Sequence, residues 1–160
     1  MTTEQTSDSI NPEVIETMAT ELFENKSTIA ALRGLGEDEL EAIYALGFNA
    51  YRQGKYHDAA QTFSMLSVYN HFEPKYHKGL AASCQMMQMF PEAIQAYGAA
   101  LAIAPLDVEP KLHIAECLIA IGEIDDAKEM LGYVLEEVEG EEASAIRDRA
   151  NVLLDALASN

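Results

Sequence analysis

The sequence predicts an all-α fold in which paired helices stack into a curved superhelical solenoid. Three observations predict it: an internal repeat, apolar residues at helical spacing in each unit of that repeat, and proline near the start of successive helical segments. The chain has 160 residues, 49% of them hydrophobic and 23% charged. It is therefore long enough to bury a core and too apolar to be disordered along its whole length.

The repeat emerges when the chain is aligned with itself after a shift of 34 residues, without gaps. Small residues recur at two positions and a large apolar residue at a third, in three consecutive units: Gly47, Ala81 and Ala115; Ala59, Ala93 and Ala127; Phe63, Tyr97 and Leu131. Small residues let antiparallel helices approach closely, and large residues fill the space between one pair and the next. This is the tetratricopeptide arrangement, and it predicts three repeats at 40–73, 74–107 and 108–141.

Start and stop signals bound the helices inside these repeats. Prolines fall in the first turns of three segments, where a missing N–H costs little, and Gly54 and Gly122 are placed to end two others. Together with the apolar spacing, they predict helices at 41–53, 57–70, 74–88, 91–104, 108–121 and 125–138.

The repeats are flanked by segments of different character. Residues 1–10 are polar and predicted to be a disordered tail, and 11–39 form an N-terminal helical segment. Within that segment Asn11-Pro12 is a helix start signal for a helix near 12–25. Residues 142–160 are predicted to be a capping helix, apolar on one side and polar on the other, as the end of a repeat stack requires.

The charge balance limits the classes of partner. Ten Lys and Arg residues stand against 27 Asp and Glu residues, a net charge of −17, which disfavours direct binding to nucleic acid or stable association with an anionic membrane. The apolar runs are too short to cross a bilayer, and no secretion signal opens the sequence. Two cysteines are too few for a disulfide framework, so we expect a cytoplasmic protein.

The repeat register predicts that Ile43, Leu46, Gly47 and Ala50 form the core face of the first repeat helix. The same helix carries an aromatic stripe beyond this core face. Tyr44, Phe48 and Tyr51 follow one another at i, i+4 and i+7. First helices line the concave side of such a stack, so we expect these rings in a groove that binds an extended peptide. The repeat register adds further groove residues: Arg52, Lys78, Ala82, Gln85, Met86, Leu112 and Glu116.

Two alternatives stay open for this groove. The rings would serve only packing if the N-terminal helix or a second subunit covered them, because an aromatic stripe at helical spacing is more often core than binding site. The charged residues at groove positions, Lys75 and Lys78 opposite Glu41 and Glu109, would be structural if they paired with one another.

The sequence offers few candidates for a metal site or a catalytic site. His113 and Cys117 are spaced i, i+4 on a predicted helix, as two metal ligands would be, with His77 and Cys84 about one repeat earlier. Both cysteines, however, occupy interior repeat positions where small apolar residues are usual. No nucleophile has a base at a recognisable spacing. We therefore expect no metal, no cofactor and no enzymatic activity.

Several segments together resemble the translocator (class II) chaperones of bacterial type III secretion. They are TIAALRGL at 28–35, LEAIYALGFNAYRQGKY at 40–56, Asp58-Ala59, Phe63, YNHF at 69–72, GLAA at 79–82, Glu109-Pro110 and HIAECL at 113–118. The resemblance covers residues 28–135. It implies a cytoplasmic chaperone without enzymatic activity that binds two apolar, pore-forming translocator proteins and keeps them soluble and unassembled until export.

The resemblance also implies how such a chaperone binds. A short extended segment near the translocator's N-terminus lies in the concave groove, where the family's binding aromatics match Tyr44, Phe48 and Tyr51. Homodimers form through the N-terminal helices, which would employ Val14, Ile15, Met18 and Leu22. The alternative is a generic tetratricopeptide adaptor for another peptide. The carboxylate-binding adaptors of that kind use Lys and Asn where this chain has Tyr44 and Phe48.

Overall fold

The computed structural model describes residues 13, 17, 20, 28–140 and 143–159. This part of the chain contains eight helices of four or more residues and no strand, which confirms the predicted all-α class. The helices are α1 (Ile29–Leu32), α2 (Glu37–Arg52), α3 (Tyr56–Tyr69), α4 (Pro74–Met86), α5 (Phe90–Ile103), α6 (Val108–Ile121), α7 (Ile124–Glu137) and α8 (Ser144–Ala158).

The helices form a stack in which, from α2 to α8, each packs mainly against its neighbours in sequence. Such nearest-neighbour packing defines a repeat solenoid, and α8 closes it by packing on α7 and α6. The first helix of the stack, α2, begins at Glu37, before the first predicted unit, because the Glu39 carboxylate accepts a hydrogen bond of 2.9 Å from the Gly36 N–H and caps the helix there. The boundaries of the repeat units stay a prediction.

The N-terminal region is described only in part. Thr28 caps α1, its hydroxyl accepting a hydrogen bond of 3.1 Å from the Ala31 N–H. The predicted dimer contacts lie outside the described residues: Val14, Ile15, Met18 and Leu22. Along the part of the chain that is described, none of the helices combines the length and the apolar character that crossing a membrane requires.

Among the described residues the core consists of three clusters, each between successive helices. The repeated small and large residues form it: Ala59, Phe63, Ala81, Ala93, Tyr97, Ala115, Ala127 and Leu131 are each at most 2% exposed. Leu46 is an exception, because the repeat register predicts it in the core and it is 67% exposed. Its equivalents, Leu80 and Ile114, pack against the second helix of the preceding repeat, and no such helix precedes α2 among residues 28–140.

The turn inside each repeat needs one residue with positive φ. The residues at this position are 34 apart: Gly54 with φ of 76°, Gln88 with φ of 61° and Gly122 with φ of 86°. Among the described residues, Gln88 is the one residue other than glycine that has a positive φ. A left-handed conformation costs an L-residue about 1–2 kcal/mol that glycine avoids.

Gln88→Gly should therefore stabilise the protein, by about 0.5–1 kcal/mol after the extra chain entropy of glycine is subtracted. The matched control is Gln53→Gly, because Gln53 ends α2 with φ of −85° and gains nothing from glycine. We expect the control to lower stability. Urea unfolding measures both, and a destabilised Gln88→Gly variant would contradict the account of this turn.

Candidate functional site

A pocket of about 370 Å³ opens on the face of the stack formed by the first helices of the repeats. We call it the central pocket. It is lined from α2 by Tyr44, Phe48 and Tyr51, from α3 by Phe63, from α4 by Lys75, Lys78, Gly79 and Ala82, from α5 by Tyr97, and from α6 by Glu109 and His113.

The aromatic wall of the central pocket is anchored in the core and open at its end. Tyr44 contacts the Phe63 and Tyr76 rings, at centroid distances of 5.6 and 5.9 Å, and lies beside Phe48 at 6.3 Å. Phe48 is 46% exposed, and Tyr44 and Tyr51 are half-buried. The wall thus combines one ring held by packing with another that presents its surface to the pocket.

Two glycines set the spacing of the helices around this wall. The Phe63 ring, 2% exposed, packs where Gly47 of α2 and Gly79 of α4 lack side chains. A Cβ on Gly79 would lie 2.8 Å from two carbons of that ring, and one on Gly47 would lie 3.0 Å from its edge. The helix α4 therefore approaches Phe63 more closely than alanine at position 79 would allow, and alanine at position 47 would require the ring to shift by a few tenths of an ångström.

The cations at the pocket are paired with carboxylates. The Lys75 ammonium lies 2.5 Å from Glu41 and 4.8 Å from the centre of the Tyr44 ring, and its hydrogen bond to Glu41 raises the pKa of Lys75. Lys78 pairs with Asp107 at 3.0 Å and with Glu109. These lysines and carboxylates therefore form salt bridges with one another, which is the structural alternative given above. The rim of the pocket is in consequence close to neutral.

A polar network borders the pocket where the second and third repeats meet. The Tyr97 hydroxyl donates to Gln85 at 2.9 Å, the Gln85 amide donates to Glu116 at 3.3 Å, and the Tyr97 ring stacks on His113 with 15° between the planes. Glu116 also lies 3.0 Å from His113 and accepts a hydrogen bond from Arg149 of α8 at 3.0 Å. The hydrogen bonds with His113 and Arg149 lower the pKa of Glu116 although its burial opposes this.

Nine of the ten predicted groove residues divide into three groups. Five line the central pocket: Tyr44, Phe48, Tyr51, Lys78 and Ala82. Gln85 and Glu116 belong to the network beside it, whereas Arg52 and Met86 are exposed and do not line it.

Leu112 was placed wrongly by the repeat register. It is 6% exposed and packs in a core cluster with Leu131, Val134 and Ala150. The last repeat is followed by α8 rather than by another repeat, and Leu112 turns toward that helix.

Two pocket residues, Tyr97 and His113, are not among the predicted groove residues although the sequence holds a signal for each. Tyr97 is buried, as its repeat position predicts, but unlike Phe63 and Leu131 at the same position it carries a hydroxyl. His113 lies four residues after Glu109 and therefore shares its helix face.

The two cysteines are packing residues, as their repeat positions predict. Both are buried in the cluster between the second and third repeats, and burial raises the pKa of Cys117 to about 11. Both thiols therefore stay protonated at neutral pH. Across the ranges that the structure describes, no group of three or more His, Cys, Asp or Glu side chains is placed to hold a metal ion.

Comparison with known proteins agrees with this fold. Family models for the tetratricopeptide repeat match residues 40–71 and 86–150. Low calcium response locus protein H of Yersinia pestis is 35% identical over 134 residues, which are 81% of this chain and 78% of the relative.

Two solved structures are similar over most of their length. The type III secretion translocator chaperone SycD of Yersinia enterocolitica has a TM-score of 0.77 and 33% identity, covering 81% of this chain and 98% of SycD. PcrH of Pseudomonas aeruginosa, solved in complex with the chaperone binding region of PopD, has a TM-score of 0.75 and 31% identity, covering 79% and 96%.

The fold and the matched repeat models define a tetratricopeptide-repeat protein. Its relatives define it further: the chain belongs to the family of type III secretion translocator chaperones. It is accordingly a chaperone and not an enzyme, as the sequence led us to expect.

Gly79→Ala should destabilise the protein by about 1–3 kcal/mol, because the added methyl group meets the buried Phe63 ring at 2.8 Å. Gly132→Ala is the matched control, since a Cβ there has nothing within 4 Å and alanine favours the helix. Thermal unfolding should show opposite signs for the two changes. Equal effects would mean that the contact with Phe63 does not set the helix spacing.

Glu116→Gln should lower the free energy of unfolding at pH 7 by about 1 kcal/mol. The folded pKa of Glu116 is depressed, so its contribution is present above the unfolded value of about 4.3 and is lost as the pH falls through the lower folded value. The difference from the unmodified chain should therefore shrink below about pH 4. Denaturant unfolding at several pH values tests this, with the exposed Glu139→Gln as control, and a pH-independent difference would contradict it.

Proposed function

We propose that this chain binds translocator proteins in the bacterial cytoplasm by an extended segment near the client's N-terminus, held in the concave groove around the central pocket. It thereby keeps the client soluble and unassembled until export. The observation that carries the proposal is the open aromatic wall of the central pocket, with Phe48 46% exposed beside a cavity of about 370 Å³. The PcrH structure, which contains the chaperone binding region of PopD, supports it.

The size and composition of the pocket favour apolar side chains of an extended peptide. A volume of about 370 Å³ is at the low end for ligand pockets and takes a few side chains rather than a folded domain. Tyr44 and Tyr51 suit a surface that is apolar when occupied and wet when empty, because each ring carries a hydroxyl.

The charges of the pocket favour a segment without net charge. Lys75 and Lys78 are already paired with Glu41, Asp107 and Glu109, so a charged client group would have to displace an existing ion pair. The Gln85 amide, beside the pocket, is oriented by Tyr97 and Glu116 and keeps one N–H and one oxygen lone pair for a client's backbone.

The expected affinity is moderate. Two or three aromatic anchors at about 2 kcal/mol each supply about 4–6 kcal/mol of the about 8 kcal/mol that micromolar affinity requires, and the other contacts of the segment must supply the rest and offset the cost of ordering the peptide. For the free chaperone we propose a homodimer through the N-terminal helices, a state supported by a SycD crystal structure with an alternative dimer.

Phe48→Ala and the double change Tyr44→Ala with Phe48→Ala test the groove. We expect Phe48→Ala to weaken binding of a peptide from the client's N-terminal segment about 30-fold, and the double change about 100-fold or more, because each removes an apolar anchor. Isothermal titration measures this with the peptide of a translocator encoded beside this chain.

Leu46→Ala is the matched control, because Leu46 lies on the same helix, is 67% exposed and does not line the pocket. It should leave the affinity unchanged. Circular dichroism checks that the variants keep their helicity. If the double variant unfolds because Tyr44 packs on buried rings, the single change at the exposed Phe48 still tests the groove. Unchanged binding by folded Phe48→Ala and double variants would reject the proposal.

A further inference from the structure

The helix α4 presents apolar surface on the side that faces away from the central pocket. Lys78 and Ala82 line the central pocket, whereas Leu80 and Cys84 line a separate depression of about 630 Å³. At 100° per residue these two pairs lie on opposite sides of the helix. The second depression therefore opens on the other face of the stack, formed by α3, α5 and α7.

An equivalent depression of about 350 Å³ lies one repeat later, on the far side of α5. Its lining includes Ile94, Ile114 and Leu118, which follow Ala60, Leu80 and Cys84 of the first depression by 34 residues. The two depressions are thus the same groove in successive repeats, separated by α5.

The ridge of α5 between them is unusually low. Its outer side carries Gly98, Ala99 and Ala102, where α3 carries Ser64, Met65 and Val68 and α7 carries Gly132, Tyr133 and Glu136. A Cβ on Gly98 would have nothing within 4 Å, so none of the described contacts requires a glycine at this exposed position. Glycine is nevertheless less favourable than alanine inside a helix. We call the surface formed by the two depressions and the α5 ridge the outer trough.

Exposed apolar side chains border the outer trough. Met65 is 42% exposed, Val68 58%, Met89 40% and Tyr133 45%. Large exposed apolar side chains that lie together on one face of so acidic a chain indicate a contact surface, whereas isolated ones would need no explanation. Methionine suits such a surface because its flexible side chain adapts to different partners.

The charge of the outer trough determines what fits it. Asp126 and Glu129 of α7 line it, and Glu129 accepts a hydrogen bond of 2.8 Å from Tyr133. Among the described residues no Lys or Arg lines either depression, and His57 and Cys84 are the titratable groups that line the first one. A second copy of this chain, with a net charge of −17, would meet the trough with like charge. The fitting partner is therefore apolar with a basic border.

The polarity of the trough favours a helix over an extended chain. A helix satisfies its own backbone hydrogen bonds, whereas an extended segment needs polar partners along its length. The polar side chains that line the first depression, His57, Gln61 and Ser64, all come from α3, and the rest of its lining is apolar. Glycine and alanine on α5 let another helix backbone come close.

We propose that the outer trough binds an apolar helix of the client, bordered by Lys or Arg on the edge toward α7, while the central pocket holds the client's extended segment. This inference rests on the proposed function, since the same client supplies both segments. The central pocket takes only a few side chains of the client. A second contact surface would shield more of the client's apolar surface from water.

The test compares release of the full-length client with binding of its N-terminal peptide. A complex of client and untagged chaperone is mixed with excess tagged, unmodified chaperone, and the rate of client transfer is measured. The double change Asp126→Lys with Glu129→Lys should accelerate transfer about tenfold, because it places cations against the basic border. Gly98→Leu, which places a large side chain on the α5 ridge at a position where a Cβ meets nothing within 4 Å, should do the same. Neither should alter the affinity for the N-terminal peptide.

The matched control is Asp148→Lys with Asp155→Lys, which changes the net charge equally on exposed positions of α8. It should leave the transfer rate unchanged. Transfer at the unmodified rate in both trough variants, or equal acceleration by the α8 control, would overturn the inference. The proposed function fails separately, if Phe48→Ala leaves the affinity for the N-terminal peptide intact.

Discussion

The arrangement of the site depends on the contact between the Phe63 ring and two glycines. Gly47 and Gly79 lie against this buried ring, where a Cβ on either would come within 3.0 Å of its carbons. This contact sets how closely α2 and α4 approach the helix between them. The spacing places Tyr44 and Phe48 opposite Lys78 and so leaves a cavity rather than a closed seam. The small residues that allow close helix packing in the repeat thus also shape the central pocket.

Electrostatics separate the central pocket from the rest of the molecule. The chain carries 17 more acidic than basic residues, yet both lysines at the pocket are engaged by carboxylates of neighbouring helices. These pairs connect α4 to α2 and α6, and the Glu116 cluster connects α6 to α8 through Arg149. The same interactions that neutralise the groove therefore link successive helices. A nearly neutral, aromatic cavity in an acidic protein suits an apolar client and repels polyanions.

The two faces of the stack differ in their lining, and we propose that they accommodate different kinds of segment. On the face of the first helices, aromatic rings alternate with polar groups. On the face of the second helices, most of the lining is apolar, and small residues lower the middle ridge. A solenoid makes this division possible because each helix is covered by its neighbours on only part of its surface.

Residue spacing along the chain is sufficient to predict the repeat, most of its core residues and most helix ends, because these depend on spacing within each unit and on contacts that every unit repeats. It also predicts that Tyr44, Phe48 and Tyr51 share one helix side. The environments of Leu46 and Leu112 depend on the tertiary structure, since the first and last repeats have different neighbours from the middle one. The tertiary structure likewise decides which carboxylate meets Lys75 and Lys78, and that Tyr97 and His113 border the pocket. Those contacts join residues of different helices, and their partners depend on how the helices pack rather than on the spacing of residues along any one of them.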